Sequence, residues 1–152
     1  MMTTLVGTRF GTVEFDDLDI VQIEGGLVGL PELSSFVLFE AKPGSPFSWL
    51  QSLDDPEMAF LVTEPSRYLP SYDLDVTQKI FSQSGQGIED AVVLATATVP
   101  PGKPNDTTLN LSGPIVLDAA TRRGRQMVLE DAAYTTRYRV FPQTDSSERI
   151  AA

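Results

Sequence analysis

Neither cysteine nor histidine occurs in this chain of 152 residues. The first absence excludes disulfides, cysteine-based zinc sites and thiol nucleophiles. The second removes the commonest general base and the commonest metal ligand, and with them most hydrolase constellations. Positive charge is scarce as well: 11 lysines and arginines stand against 21 aspartates and glutamates, a formal net charge of −10. Binders of RNA or DNA phosphate draw affinity largely from Lys and Arg displacing counterions, so direct nucleic-acid binding is not expected. A basic protein partner suits this charge, because complementary fields speed encounter. Acidity also serves solubility alone, and composition by itself favours that plainer reading. No apolar run approaches the roughly 20 residues needed to cross a bilayer, so no membrane role is expected. The opening residues Met1-Met2-Thr3-Thr4-Leu5-Val6-Gly7 lack a basic segment followed by an apolar core, and the expected location is the cytoplasm.

What the chain does have is many short β-type runs separated by turn residues. A hydrophobic fraction of 41% suits one compact domain. Residues 5–142 read as that domain and residues 143–152 as a polar, frayed tail. β-Branched and aromatic content predicts strands over residues 10–15, 20–23, 36–39, 47–50, 58–62, 109–111, 115–117, 126–129 and 137–141. The nearly continuous apolar run over residues 91–99 is the longest, which predicts a central strand covered on both faces. Alternation changes phase near Gly11, as at a turn or bulge between paired strands. Only residues 75–84 show helical spacing, with Val76 and Ile80 one turn apart. The fold class is therefore all-β: a small single-domain barrel or sandwich of short, mostly antiparallel strands with one or two short helices. Its core is expected around Trp49, Phe60, Val93 and Leu94.

Three clusters could carry chemistry. Asp54, Asp55 and Glu57 are the densest carboxylate group, able in principle to share a proton or hold a hard cation. Asp-Asp-Pro is also ordinary turn chemistry, which is the stronger reading. The loop Glu24-Gly25-Gly26-Leu27-Val28-Gly29-Leu30-Pro31 lacks the Gly-Lys-Ser/Thr ending of a phosphate loop, so its glycines read as backbone turns. Arg122, Arg123 and Arg125 surround Gly124, at which a polar turn is expected to be centred, in a hairpin or tight strand connection. Guanidinium groups there could anchor a carboxylate or simply form a solvated tip. Ser45 and Ser48 have no histidine to activate them.

Several blocks occur together and in order. Trp49-Leu50-Gln51-Ser52 is followed by Asp55-Pro56 and Ala59-Phe60-Leu61-Val62-Thr63; Asn110-Leu111-Ser112-Gly113-Pro114-Ile115-Val116 is followed by Thr121-Arg122-Arg123-Gly124-Arg125-Gln126. From about residue 10 to residue 141, the chain resembles the FliW family of flagellar assembly factors. Two departures stand out. The family's loop of the form Phe-Pro-x-Gly-x-Pro-Gly-Phe is here Ile23-Glu24-Gly25-Gly26-Leu27-Val28-Gly29-Leu30, without prolines, and a family Arg-His pair is Arg137-Tyr138. The resemblance implies a non-enzymatic partner switch without cofactor or metal. It would bind flagellin, and also a CsrA-type translational repressor that it keeps from silencing flagellin messenger RNA. The segment over residues 110–126 is the candidate partner-facing surface, with Asn110, Ile115, Arg122, Arg123 and Arg125 as contacts. Against this stands the view that Asn110, Pro114 and Gly124 only set turn geometry. The alternative function is a small β-barrel enzyme or ligand carrier using Asp54, Asp55 and Glu57, since carboxylate-only chemistry exists.

Overall fold

Short runs rich in Val, Ile, Phe and Leu become strands, and alternation decides which residue of each faces inward. The structure, a computed structural model, describes residues 1–84, 90–131 and 133–141. The tail expected over residues 143–152 lies outside them. Strands β1 (Met2–Thr8) and β2 (Gly11–Asp16) form an antiparallel hairpin whose register shifts between Leu5 and Thr8, so the phase change at Gly11 does mark a turn between paired strands. There follow β3 (Ile20–Ile23), β4 (Ser35–Glu40), β5 (Phe47–Ser52), β6 (Ala59–Thr63), helix α1 (Tyr72–Ser84) and β7 (Ala91–Thr98). The chain continues through β8 (Thr108–Leu109), β9 (Ile115–Asp118), β10 (Arg123–Gln126) and β11 (Tyr138–Arg139).

The pairings close on themselves. From β3 the order runs through β4, β5, β6, β7, β9 and β10, and β10 returns to β3, giving a seven-stranded barrel. The closing contact is parallel, Arg123 opposite Gln22 and Gly124 opposite Ile23; the other described pairings are antiparallel. Strands β8 and β11 branch from the far end of β7. Of the barrel and the sandwich left open by the sequence, the fold is the barrel, which removes most exposed edges.

Ile23, Phe36, Leu50, Val62, Leu94 and Ile115, one from each of six strands, fill the barrel interior almost free of solvent. Burying each such side chain is worth about 1.5–3 kcal/mol. A second apolar layer lies outside the wall. Tyr72, Val76 and Ile80 recur every four residues on α1 and pack with Val93 and Ala95 of β7 and Val116 of β9. Strand β7 is thus covered on both faces, as its continuous apolarity predicts. The helix begins three residues before the expected start, and Asp73 and Asp75 sit in its first turn, where they complement the helix dipole. No described helix is long and apolar enough to cross a membrane.

Four expectations are corrected. Trp49 is half-buried and outside both apolar clusters, because Leu50 faces inward and its neighbour must face out. It meets Phe10 at 5.1 Å between ring centroids, and Phe10 meets Phe39 at 5.3 Å. Val93 and Leu94 are core as expected; Phe60 is partly buried against the barrel core. The strand expected over residues 126–129 is β10, three residues earlier. The strand expected over residues 137–141 contracts to β11.

Candidate functional site

Position 124 is not a turn. Gly124 pairs with Leu117 on one side and Ile23 on the other, and a Cβ there would sit 2.0 Å from the Val116 carbonyl oxygen. Glycine is present because two strands approach too closely for any side chain. The turn proper spans residues 119–122. Asp118 Oδ1 accepts from the Ala120 N–H at 2.9 Å, and Arg122 takes φ +59°. The Arg122 guanidinium donates to the Asp19 carbonyl at 3.1 Å, tying this turn to β3, while Arg123 and Arg125 are exposed.

Asn110 lies at the opposite end of the barrel, since the turn before Ile115 pairs with Gln126 and the turn after Asp118 precedes Arg123. Its Oδ1 accepts from the Ser112 and Gly113 N–H groups at 3.0 and 3.1 Å, a side chain folding its own turn. Ile115 has no exposed surface and belongs to the barrel core, so its contact is with Leu94 and its neighbours inside. The five candidate contacts therefore form no single patch: Ile115 is core, Asn110 sets a turn, Arg122 and Arg123 stand at the other end, and Arg125 lies exposed on β10 between the two ends.

Gln126, not singled out by the sequence, links two loops. Its Oε1 accepts from the Val28 N–H at 2.7 Å and its Nε2 donates to the Gly113 carbonyl at 2.9 Å. That joins the glycine loop after β3 to the Asn110 turn. Gly26 in that loop has φ +73° and a Cβ position only 2.3 Å from the Pro31 carbonyl oxygen, which no other residue could occupy. Its glycines serve the backbone, as the sequence indicates.

The carboxylate cluster is similarly committed. Asp54 Oδ2 accepts from the Ser34 and Ser35 N–H groups at 2.9 and 2.8 Å, and Asp55 Oδ1 from the Glu57 N–H at 3.1 Å. Among the described residues, no group of three carboxylates is placed to hold a metal ion.

Two tyrosines have shifted acidity, for structural reasons. Tyr72, without exposed surface, donates to the Leu111 carbonyl at 2.5 Å, and burial first, then Tyr134 and Asp73, push its pKa up. The Tyr134 hydroxyl donates to the Asp75 carboxylate; this bond, then desolvation and the charges of Asp75 and Asp131, push it up to about 12. Their rings stand edge to face at 4.9 Å. The group fastens α1 to the barrel.

A cleft of about 720 Å³ opens at the Gln126 end, reaching from Leu27 and Val28 across β6 to residues 96–99. Arg9 overhangs it, its guanidinium 4.7 Å from the Trp49 ring centroid. In sequence Arg9 is an isolated cation before a turn, and nothing marks it until the hairpin folds onto the wall.

Comparisons with known proteins bear on the whole chain. The profile of the family described as FliW protein matches residues 4–140. The flagellar assembly factor FliW of Magnetococcus marinus is 35% identical, over 93% of this chain and 87% of that protein. That of Moorella thermoacetica is 33% identical, over 93% and 90%. A crystal structure of the flagellar assembly factor FliW superposes with a TM-score of 0.78 at 33% identity, covering 93% of this chain and 99% of that one. On sequence, on fold and across nearly its full length, the chain belongs to the FliW family.

Proposed function

We propose that this protein regulates flagellum assembly in the cytoplasm by switching partners: it binds flagellin and, when flagellin is scarce, a CsrA-type RNA-binding translational repressor, which it holds away from flagellin messenger RNA. Accumulating flagellin displaces the repressor, and flagellin synthesis falls. Two linked binding equilibria suffice, with no bond made or broken. Family membership over residues 4–140, shared with flagellar assembly factors at 33–35% identity, carries this reading. The net charge of −10 supports it further, since a repressor that binds RNA presents basic surface and complementary fields speed association.

The reading of an enzyme or carrier built on Asp54, Asp55 and Glu57 finds less support, because Asp54 and Asp55 use carboxylate oxygens on turn N–H groups. Arg123 and Arg125 are the exposed cations of the candidate set and remain its proposed partner contacts, whereas Arg122 is tied to the Asp19 carbonyl and Asn110 to its own turn. Co-purification of the tagged protein from flagellated host cells tests the proposal. Recovery of flagellin and of a CsrA-like protein is expected; finding neither across growth conditions that produce flagella would overturn it.

A further inference from the structure

The barrel wall is open at one end of the seam between β6 and β7. Strand β6 pairs with β5 along its whole length, from Ala59 opposite Gln51 to Thr63 opposite Phe47. Toward β7 it pairs only through Val62↔Thr96 and Thr63↔Ala95. Beyond Val62 the ladder stops, and Ala59, Phe60, Thr98 and Val99 border the 720 Å³ cleft with no ladder partner across it. A strand end without a ladder partner is a template for an incoming strand.

The surroundings select what that strand could be. Leu61, Phe60 and Trp49 give the cleft apolar walls, and Val28 and Val99 stand at it 58% and 43% exposed. Arg9 is the one charged residue of the lining; no carboxylate lines it, in a molecule of net charge −10. Among the described ion pairs none involves Arg9; its guanidinium rests on the Trp49 and Phe10 rings, 4.7 and 5.7 Å from their centroids. Stacked in this way, its hydrogen-bond donors are free to meet a carboxylate at the cleft edge.

We propose that this cleft binds an extended segment of a protein partner, added as a strand to the free end of β6, with apolar side chains at alternate positions and an acidic side chain against Arg9. Alternation follows from strand geometry, because every second side chain of an added strand points into the walls. The site gives a location to the binding role proposed above and rests on it. Its probe is nevertheless chosen without reference to flagellin or the repressor, so the two can fail separately.

The test is a displayed library of short random peptides, panned against the intact protein. Enriched peptides are expected to alternate apolar and polar residues and to share an acidic position. A synthetic consensus peptide should bind about tenfold more weakly to Arg9→Glu, which loses the charge-assisted contact while keeping its melting temperature because Arg9 is exposed. N-methylation of alternate peptide nitrogens should abolish binding, and the amides of Ala59 and Leu61, which point away from β5, should gain exchange protection in the complex. An empty selection, helical spacing in the enriched peptides, indifference to Arg9→Glu, or protection elsewhere would overturn the proposal. So would light scattering that shows the cleft closed by a second copy of this chain.

Discussion

A methyl group at position 124 would lie 2.0 Å from the Val116 carbonyl oxygen and 2.8 Å from Leu117 Cα, both backbone atoms of the paired strand. Gly124→Ala is therefore expected to cost about 3 kcal/mol in urea unfolding, because β9 and β10 must part to admit it. Loss below about 0.5 kcal/mol would show that the strands yield freely. Tyr72→Phe removes a buried donor and leaves the Leu111 carbonyl unpaired, for an expected cost of about 1–3 kcal/mol in the same measurement. The sequence signals a special backbone at 124 but not which kind: a glycine kept for φ and a glycine kept for close approach look alike until its neighbours are known. Ile115 was legible as an apolar strand residue, whereas its inward direction depends on pairing with Leu94 and Gln126. Trp49 fails for the same reason. Its neighbour Leu50 takes the inward face, and two adjacent apolar residues in a strand cannot both do so.

Helix α1 and the β1–β2 hairpin both lie on the outside of the barrel, and each has its own test. Tyr72 and Tyr134, which fasten α1, hold their protons in the folded state beyond the ordinary phenol value of 10.0. The unfolded chain releases those protons first, so their contribution is full below pH 10 and declines as pH rises toward about 12. Unfolding free energy measured across that range should fall, and Tyr134→Phe should flatten the fall; an unchanged slope in the variant would locate alkaline sensitivity elsewhere. On the other side, Phe10 shields the single tryptophan. Phe10→Ala should move Trp49 emission to longer wavelength and raise its quenching by acrylamide, without unfolding the barrel. Unaltered emission would mean that the hairpin does not cover Trp49 in solution. Strands β3 to β7 were legible from β-branched and aromatic runs, and α1 from Val76 and Ile80. Strand β1 was not: Thr3 and Thr4 carry no apolar alternation, and pairing with β2 supplies what propensity does not. Strand β10 was displaced because Arg123, Gly124 and Arg125 look like a turn, while closure against β3 makes them a ladder.

At the scale of the molecule, an all-β chain with few cations becomes a closed barrel that carries helix α1 and the β1–β2 hairpin on its outside and stays open at one end of the β6–β7 seam. Composition and the ordered motif blocks indicated the class and the family, but barrel closure was out of reach because the parallel β3–β10 contact joins residues about a hundred positions apart. The cleft was equally hidden, since Arg9, Trp49, Leu61 and Val99 converge only after folding. The charge of −10 makes its own prediction: association with a basic repressor should slow markedly as salt is raised, and rates that stay flat would show that steering plays no part. The central claim is partner switching, and competition calorimetry tests it most directly. A preformed complex of this protein with the CsrA-type repressor is titrated with flagellin, and free repressor is followed by its binding to labelled flagellin leader RNA. The account predicts dose-dependent release of the repressor and return of RNA binding; a protein that binds neither partner, or both at once with unaltered affinity, would contradict it.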